Sequence, residues 1–324
     1  MHRILTIFAA TLISAMLCQC RHHPIATQST DAHFSWKEQT FTNSIGQKMI
    51  WIAPGEFRMG DDSGSGNPDE LPAQLISLSG YHLGATEVTQ GQWQEIMGSG
   101  VIDQAGKALR DNTKFPQLQD RRLREVLGMN RGDKTDSLII GKGAQHPIYW
   151  LNHHEALEFC RRLTIKEWHA GRLPHHYHYT LPTEAQWENA CRAGSAKDHA
   201  EELDQMAWHA GNSGNKTQTV AQKEPNAWGF YDMHGNVNEW CLGWYSENYD
   251  SLGIRDPQGP SEADAYIDES ENGPFRVMRG GSCYAASAGA LRCTMRIHVD
   301  PKLRDDDFGF RIALVASDSA DTAK

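Results

Sequence analysis

From Gly194 onward the apolar residues come in short pieces, each broken within a few positions by Gly, Asn, Asp or Pro, and no unit recurs as in a propeller or solenoid. Such a chain must hold a great deal of irregular backbone in place with anchors, so a helical bundle is excluded. The 10 Trp and 29 Gly suit that task, since tryptophans anchor and glycines turn. A length of 324 residues allows one large domain or two ordinary ones, and the sequence predicts one α+β domain over 41–316.

Regular elements can be placed upstream. Lys48 to Ile52 reads as a short strand closed by Pro54-Gly55, 60–73 as a loop, and Gln74 to His82 as a second strand because polar and apolar residues alternate. Three helices open on capping boxes: Thr89 with Gln92, Asn152 with Glu155, and Thr183 with Gln186. The first should end at Gly98 and the third at Gly194, where glycine accepts the left-handed turn. The second presents Ala156, Cys160 and Leu163 on one face, and the third buries Trp187, Ala190 and Cys191. Residues 99–145 read as an elaborated polar loop with helical character at Leu118 to Leu127.

Charge narrows the partners. The net charge is −10, and the densest basic run, Arg121-Arg122-Leu123-Arg124, reads as the wet face of a short helix, so nucleic acid is not an expected partner. The first 20 residues carry Arg3 and an apolar run from Ile4 to Leu17, the pattern of a secretory signal. Cys18 and Cys20 are candidate lipidation positions, residues 21–40 read as a polar tether, and 317–324 as a polar tail. The expectation is an exported protein, periplasmic or membrane-anchored through lipid, with its remaining five cysteines where disulfides can persist.

Six blocks occur in order along the chain: MIWIAPGEFRMG, DELPAQLISLSGYHLGATEVTQGQW, LPTEAQWENACRAG, PNAWGFYDMHGNVNEW, RVMRGGS and FGFR. With them the chain resembles the formylglycine-generating enzyme (sulfatase-modifying factor) family. That resemblance implies a C-type-lectin-like α+β fold with long, ion-stabilised loops. It also implies a chemistry: oxidation of a sulfatase cysteine by O₂ at a copper(I) ion held by two thiolates. Soft thiolates select that ion. In the family the two cysteines stand three and eight positions after Gly-Gly-Ser, where this chain has Ala285 and Ala290. Cys283, Cys293 and Ser282 are therefore only weak catalytic candidates, and copper is not an expected cofactor.

Calcium is the expected ion, because it takes carboxylate, amide and carbonyl oxygens. Asn236 with its neighbours Val237 and Glu239 resembles one family ion site, and Asn212 part of another. The helix-face positions suggest disulfides Cys160–Cys191 and Cys241–Cys293 with Cys283 left over, while five buried free thiols remain the other reading. His153, His154, His175, His176 and His178 read as loop and helix-start histidines rather than a metal triad. Two functions follow. One is a binding module or accessory lipoprotein for a protein, glycan or envelope ligand. The other is an oxidoreductase, through a shifted cysteine pair or on a different substrate.

Overall fold

The computed structural model describes residues 37–317 apart from 65, 198–201, 250–252 and 268–272. The leader at 1–20, the tether up to 36 and the tail beyond 317 lie outside the described residues. Among the described residues no helix is long and apolar enough to cross a membrane.

The N-terminal half contains strands β1 (Phe41–Thr42), β2 (Lys48–Ile52), β3 (Gly55–Met59), β4 (Gln74–Leu78) and β5 (Tyr81–Gly84), then helices α1 (Gln90–Met97) and α2 (Val101–Arg110). A small ribbon, β6 (Lys114–Phe115) with β7 (Arg121–Arg122), precedes α3 (Leu123–Val126) and the long α4 (His153–His169). Next come β8 (Tyr177–Thr180), α5 (Glu184–Arg192), α6 (Leu203–Met206) and β9 (Asn238–Trp244). The chain closes with β10 (Arg276–Arg279), β11 (Arg296–Val299), β12 (Phe308–Gly309) and β13 (Ala313–Ala316).

One sheet runs β1-β2-β5-β13-β8 and is antiparallel throughout. Its C-terminal strand β13 is inserted between β5 and β8, so both ends of the domain are fastened into one sheet. The pleat sends alternate side chains to opposite faces. Met49, Tyr179 and Leu314 join one apolar cluster, whereas Ile50, Ile52, Leu83 and Ala313 join the other. Helices α1 and α4 belong to the first cluster, where Trp93 stacks on Phe159 with ring centroids 5.7 Å apart. A second sheet, β11-β10-β9-β12, has β12 parallel to β9.

The three capping boxes form as expected: Thr89, Asn152 and Thr183 each accept from the backbone N–H three residues on. Two expectations change. The strand read over 74–82 is two strands, because a Cβ at Gly80 would lie 2.2 Å from the Trp51 ring and the chain breaks there. The polar stretch 99–145 contains a ten-residue helix, α2, which buries Val101, Ala105, Ala108 and Leu109. Its cap is a glycine, and the Asp103 carboxylate accepts from the Gly100 N–H at 2.8 Å, so the usual Ser/Thr/Asn signal is missing. Helix α3 occupies four residues of the longer stretch expected at 118–127.

Buried ion pairs bind the conspicuous sequence blocks to one another. Arg311 of FGFR donates to both Glu239 oxygens of GNVNEW at 2.6 and 2.7 Å, and to the carbonyls of Gly84 and Tyr231. Arg296 forks onto Glu184 at 2.6 and 3.0 Å, and Arg279 of RVMRGGS donates to Glu188. Trp187 closes the set by donating to Glu239 at 2.8 Å. These carboxylates and guanidiniums are almost fully buried, a situation tolerated only when every charge is paired.

Candidate functional site

After β10 the chain must turn sharply. Gly280 and Gly281 both have positive φ, and a Cβ at Gly281 would lie 2.6 Å from the Ala290 carbonyl oxygen, so only glycine fits there. This turn leads the chain into Ser282 and Cys283. The Cys283 N–H donates to the Asn236 carbonyl at 2.9 Å, and its own carbonyl accepts from the Ser213 hydroxyl at 2.9 Å. Beside this segment the carboxylates of Asp305, Asp306 and Asp307 lie within 4.8 Å of one another. Tyr284 donates its hydroxyl to Asp306 at 3.0 Å, and Asn238 its amide to Asp307 at 2.9 Å.

Three crowded carboxyls in a half-buried place resist ionisation. Burial, reinforced by the charges of Asp307 and Asp306, raises Asp305 to about 7, and burial raises Asp307 to about 6. Burial also pushes the Cys283 thiol up, with Asp307 and Asp306 acting in the same direction. A reactive cysteine needs the reverse, a surrounding that stabilises thiolate. Cys283 is accordingly a buried thiol held in its protonated form.

The two cysteines of this stretch have different surroundings. The Cys293 sulfur lies 3.2 Å from that of Cys191, at the end of α5, and His234 Nε2 lies 3.8 Å from Cys191 Sγ. All five described cysteines are buried and free, so neither Cys160–Cys191 nor Cys241–Cys293 forms. Cys160 belongs to the cluster on the opposite side of the main sheet from Cys191, and Cys293 faces Cys191 rather than Cys241. Hydrogen bonding from Cys191, aided by the imidazole of His234, holds the Cys293 thiol well below its usual range, while burial pushes Cys191 up. Sequence reasoning passed over His234. Its one signal was its place directly before GNVNEW, between Cys191 and Cys293 along the chain.

The other histidines stay apart from this group. His153 is buried with Nε2 3.0 Å from the Cys241 carbonyl oxygen, and burial, with Arg276 acting in the same direction, lowers it to about 3. His178 faces Ser317, and His175 packs on Trp168.

The side chains read as calcium ligands make bonds within the fold. Asn236 is fully buried; its Oδ1 accepts from the Gln218 N–H at 2.9 Å and its Nδ2 donates to Glu87 at 3.0 Å. Both oxygens of Glu239 are bound to Arg311, and Val237 packs its side chain against Gly309. Asn212 Oδ1 accepts from the His209 N–H and its Nδ2 donates to the Ala207 carbonyl. Calcium takes six to eight oxygens, backbone carbonyls among them, so an ion beside Asn236 would draw on main-chain oxygens as well as these side chains.

A cavity of about 710 Å³ opens near the end of α5. Arg58, Asp61, Arg192, Lys197, Trp228 and Arg292 line it, giving charged walls of both signs beside an aromatic ring. Arg192 and Arg292 are the sequence neighbours of Cys191 and Cys293.

The model of the sulfatase-modifying factor enzyme 1-like domain matches residues 37–316. The serine/threonine-protein kinase pkn1 of Chlamydia pneumoniae is 29% identical over 297 residues, which is 90% of this chain but 41% of the kinase. The chain thus spans well under half of that relative's length. The formylglycine-generating enzyme of Mus musculus is 26% identical over 82% of this chain and 74% of its own. Among solved structures, Treponema denticola variable protein 1 superposes with a TM-score of 0.61 at 28% identity, covering 85% of this chain and 98% of that one.

Proposed function

Because the chain belongs to the sulfatase-modifying factor enzyme 1-like family, we propose that it is an exported binding module or accessory lipoprotein of that family which does not use the copper cysteine pair. Its partner is a protein, a glycan or another envelope component, and the wall of mixed charge around Trp228 is the surface offered to it. The observation that carries this reading is the separation of the two cysteines. Cys283 is held protonated against the Asp305–Asp307 group, while Cys293 is engaged with Cys191. Alanine stands at 285 and 290, so this segment offers no second thiol to either one.

The test is direct. The reduced protein is loaded with copper(I) and incubated in air with a peptide bearing a sulfatase-type cysteine, and mass spectrometry follows the thiol. The expected result is an unchanged peptide. Conversion of the cysteine to formylglycine, dependent on Cys293, would replace this reading with a thiol oxidase.

A further inference from the structure

The geometry points to a buried binding site for one thiophilic d¹⁰ cation, copper(I) or zinc(II), held by Cys191, His234 and Cys293. The ligand atoms of all three lie within 4.8 Å of one another, and each residue is nearly excluded from solvent, at 3%, 3% and 2% exposure. Two sulfurs and an imidazole nitrogen form the donor set that soft and borderline metals select.

His234 carries the argument beyond proximity. Its Nδ1 lies 2.7 Å from the Leu291 carbonyl oxygen, which fixes the proton on that nitrogen and leaves the Nε2 lone pair for the side facing Cys191. Metal-binding histidines are oriented in this way, with the far N–H given to a backbone carbonyl. The carbonyl comes from Leu291, two residues before Cys293, so one loop supplies both a ligand and the brace for another. That lone pair faces the two thiols.

The three ligands come from distant parts of the chain. Cys191 lies in the last turn of α5, His234 precedes β9, and Cys293 precedes β11; separations along the chain are 43 residues between Cys191 and His234 and 102 between Cys191 and Cys293. An ion here would fasten the α5 terminus to the two segments beside it, and its binding energy would add to the stability of the fold. Burial keeps substrates from the ion, so its role is that of a cross-link. Binding displaces any proton held on the two sulfurs into solvent, and no electron is transferred. The proposal uses the Cys191–Cys293 contact that the functional reading also uses, and ion stoichiometry rather than peptide oxidation decides it.

The full chain, reduced under nitrogen, is titrated with zinc(II) and separately with copper(I) against a chromophoric chelator. We expect one equivalent of at least one ion per chain, protection of Cys191 and Cys293 from alkylation, and a higher thermal midpoint with ion bound. Cys191→Ser, Cys293→Ser and His234→Gln should each weaken binding at least about tenfold, whereas Cys160→Ser should not. If a variant fails to fold, the parent protein still decides: cobalt(II) should give a thiolate charge-transfer band, and X-ray absorption should count two sulfurs and one nitrogen. The two titrations distinguish a three-coordinate copper(I) site from a zinc(II) site that recruits a fourth ligand. Failure of both ions to bind, or binding that leaves both thiols open to alkylation, overturns the proposal.

Discussion

Two regions of this protein bury acidic groups, and they resolve the problem in opposite ways. Around α5 and β9, Glu184 and Glu239 face the guanidiniums of Arg296 and Arg311. Burial alone would raise Glu184, yet Arg296 and Arg279 outweigh it and hold that carboxyl below its usual range. Beside Ser282 the donors reaching Asp306 and Asp307 are the neutral Tyr284 hydroxyl and Asn238 amide, and Asp305 and Asp307 are pushed up toward neutrality. Burial raises the carboxyls in both places, and the neighbours decide whether that rise is offset: Arg296 and Arg279 outweigh it at Glu184, whereas Asp307 and Asp306 add to it at Asp305. The first region is built to hold loops together. The second is left close to a titration point within the surface of the domain.

The largest effect should come from breaking the paired region. Arg311→Met leaves Glu239 buried without its cation and frees the carbonyls of Gly84 and Tyr231. Removing one partner of a buried pair costs about 3–5 kcal/mol, readable as a lower urea midpoint at unchanged slope. Adding Glu239→Met to that variant should restore part of the loss, because the orphaned charge is gone. A single variant as stable as the parent would show that these arginines do not hold the blocks together.

An intermediate effect is expected where a polar side chain is buried without formal charge. Asn236→Ala removes an acceptor for the Gln218 N–H and a donor to Glu87, which costs about 1–3 kcal/mol. The loss should be the same in calcium and in chelator, measured as the difference in thermal midpoint from the parent. A parent midpoint that rises with calcium, and an Asn236→Ala midpoint that does not, would reinstate the ion.

Much of this architecture is legible in the sequence because it depends on local rules. The capping boxes at Thr89, Asn152 and Thr183 declare their helices, and Gly280-Gly281 declares a turn that other residues cannot make. Helix α2 escaped because its cap is a glycine with no side-chain oxygen to mark it, although Val101, Ala105, Ala108 and Leu109 recur at helical spacing. Cysteine partnership escaped for a different reason. The apolar faces of α4 and α5 showed that Cys160 and Cys191 are buried, but not that the main sheet assigns them to opposite cores. The ligand at His234 and the carboxyls at Asp305 to Asp307 are non-local in the same sense: what matters about them is what another segment brings alongside.

The smallest effect sharpens the comparison most, because its sign separates the two regions. Asp305 has a folded-state value of about 7 against an ordinary 3.8, so the folded protein holds this proton more tightly than the unfolded chain. The resulting stability is fully present below the ordinary value and fades as pH rises through about 7. Between pH 6 and pH 8 it declines by on the order of 1 kcal/mol. Asp305→Asn cannot titrate and still offers an oxygen to the Asp306 N–H, so its stability should fall less over that interval than the parent's. Glu184 should behave in the opposite way. Its value lies below the ordinary 4.5, so its contribution is present at neutral pH and disappears only as the solution is acidified through the folded value. Glu184→Gln should therefore flatten the acid limb of the stability profile and leave the limb above pH 6 as it was. Urea midpoints of the three proteins from pH 3 to pH 9 test both halves together. If Asp305→Asn follows the parent point for point across neutrality, the carboxyls beside Ser282 are charged at all working pH values, and the contrast drawn between the two regions fails.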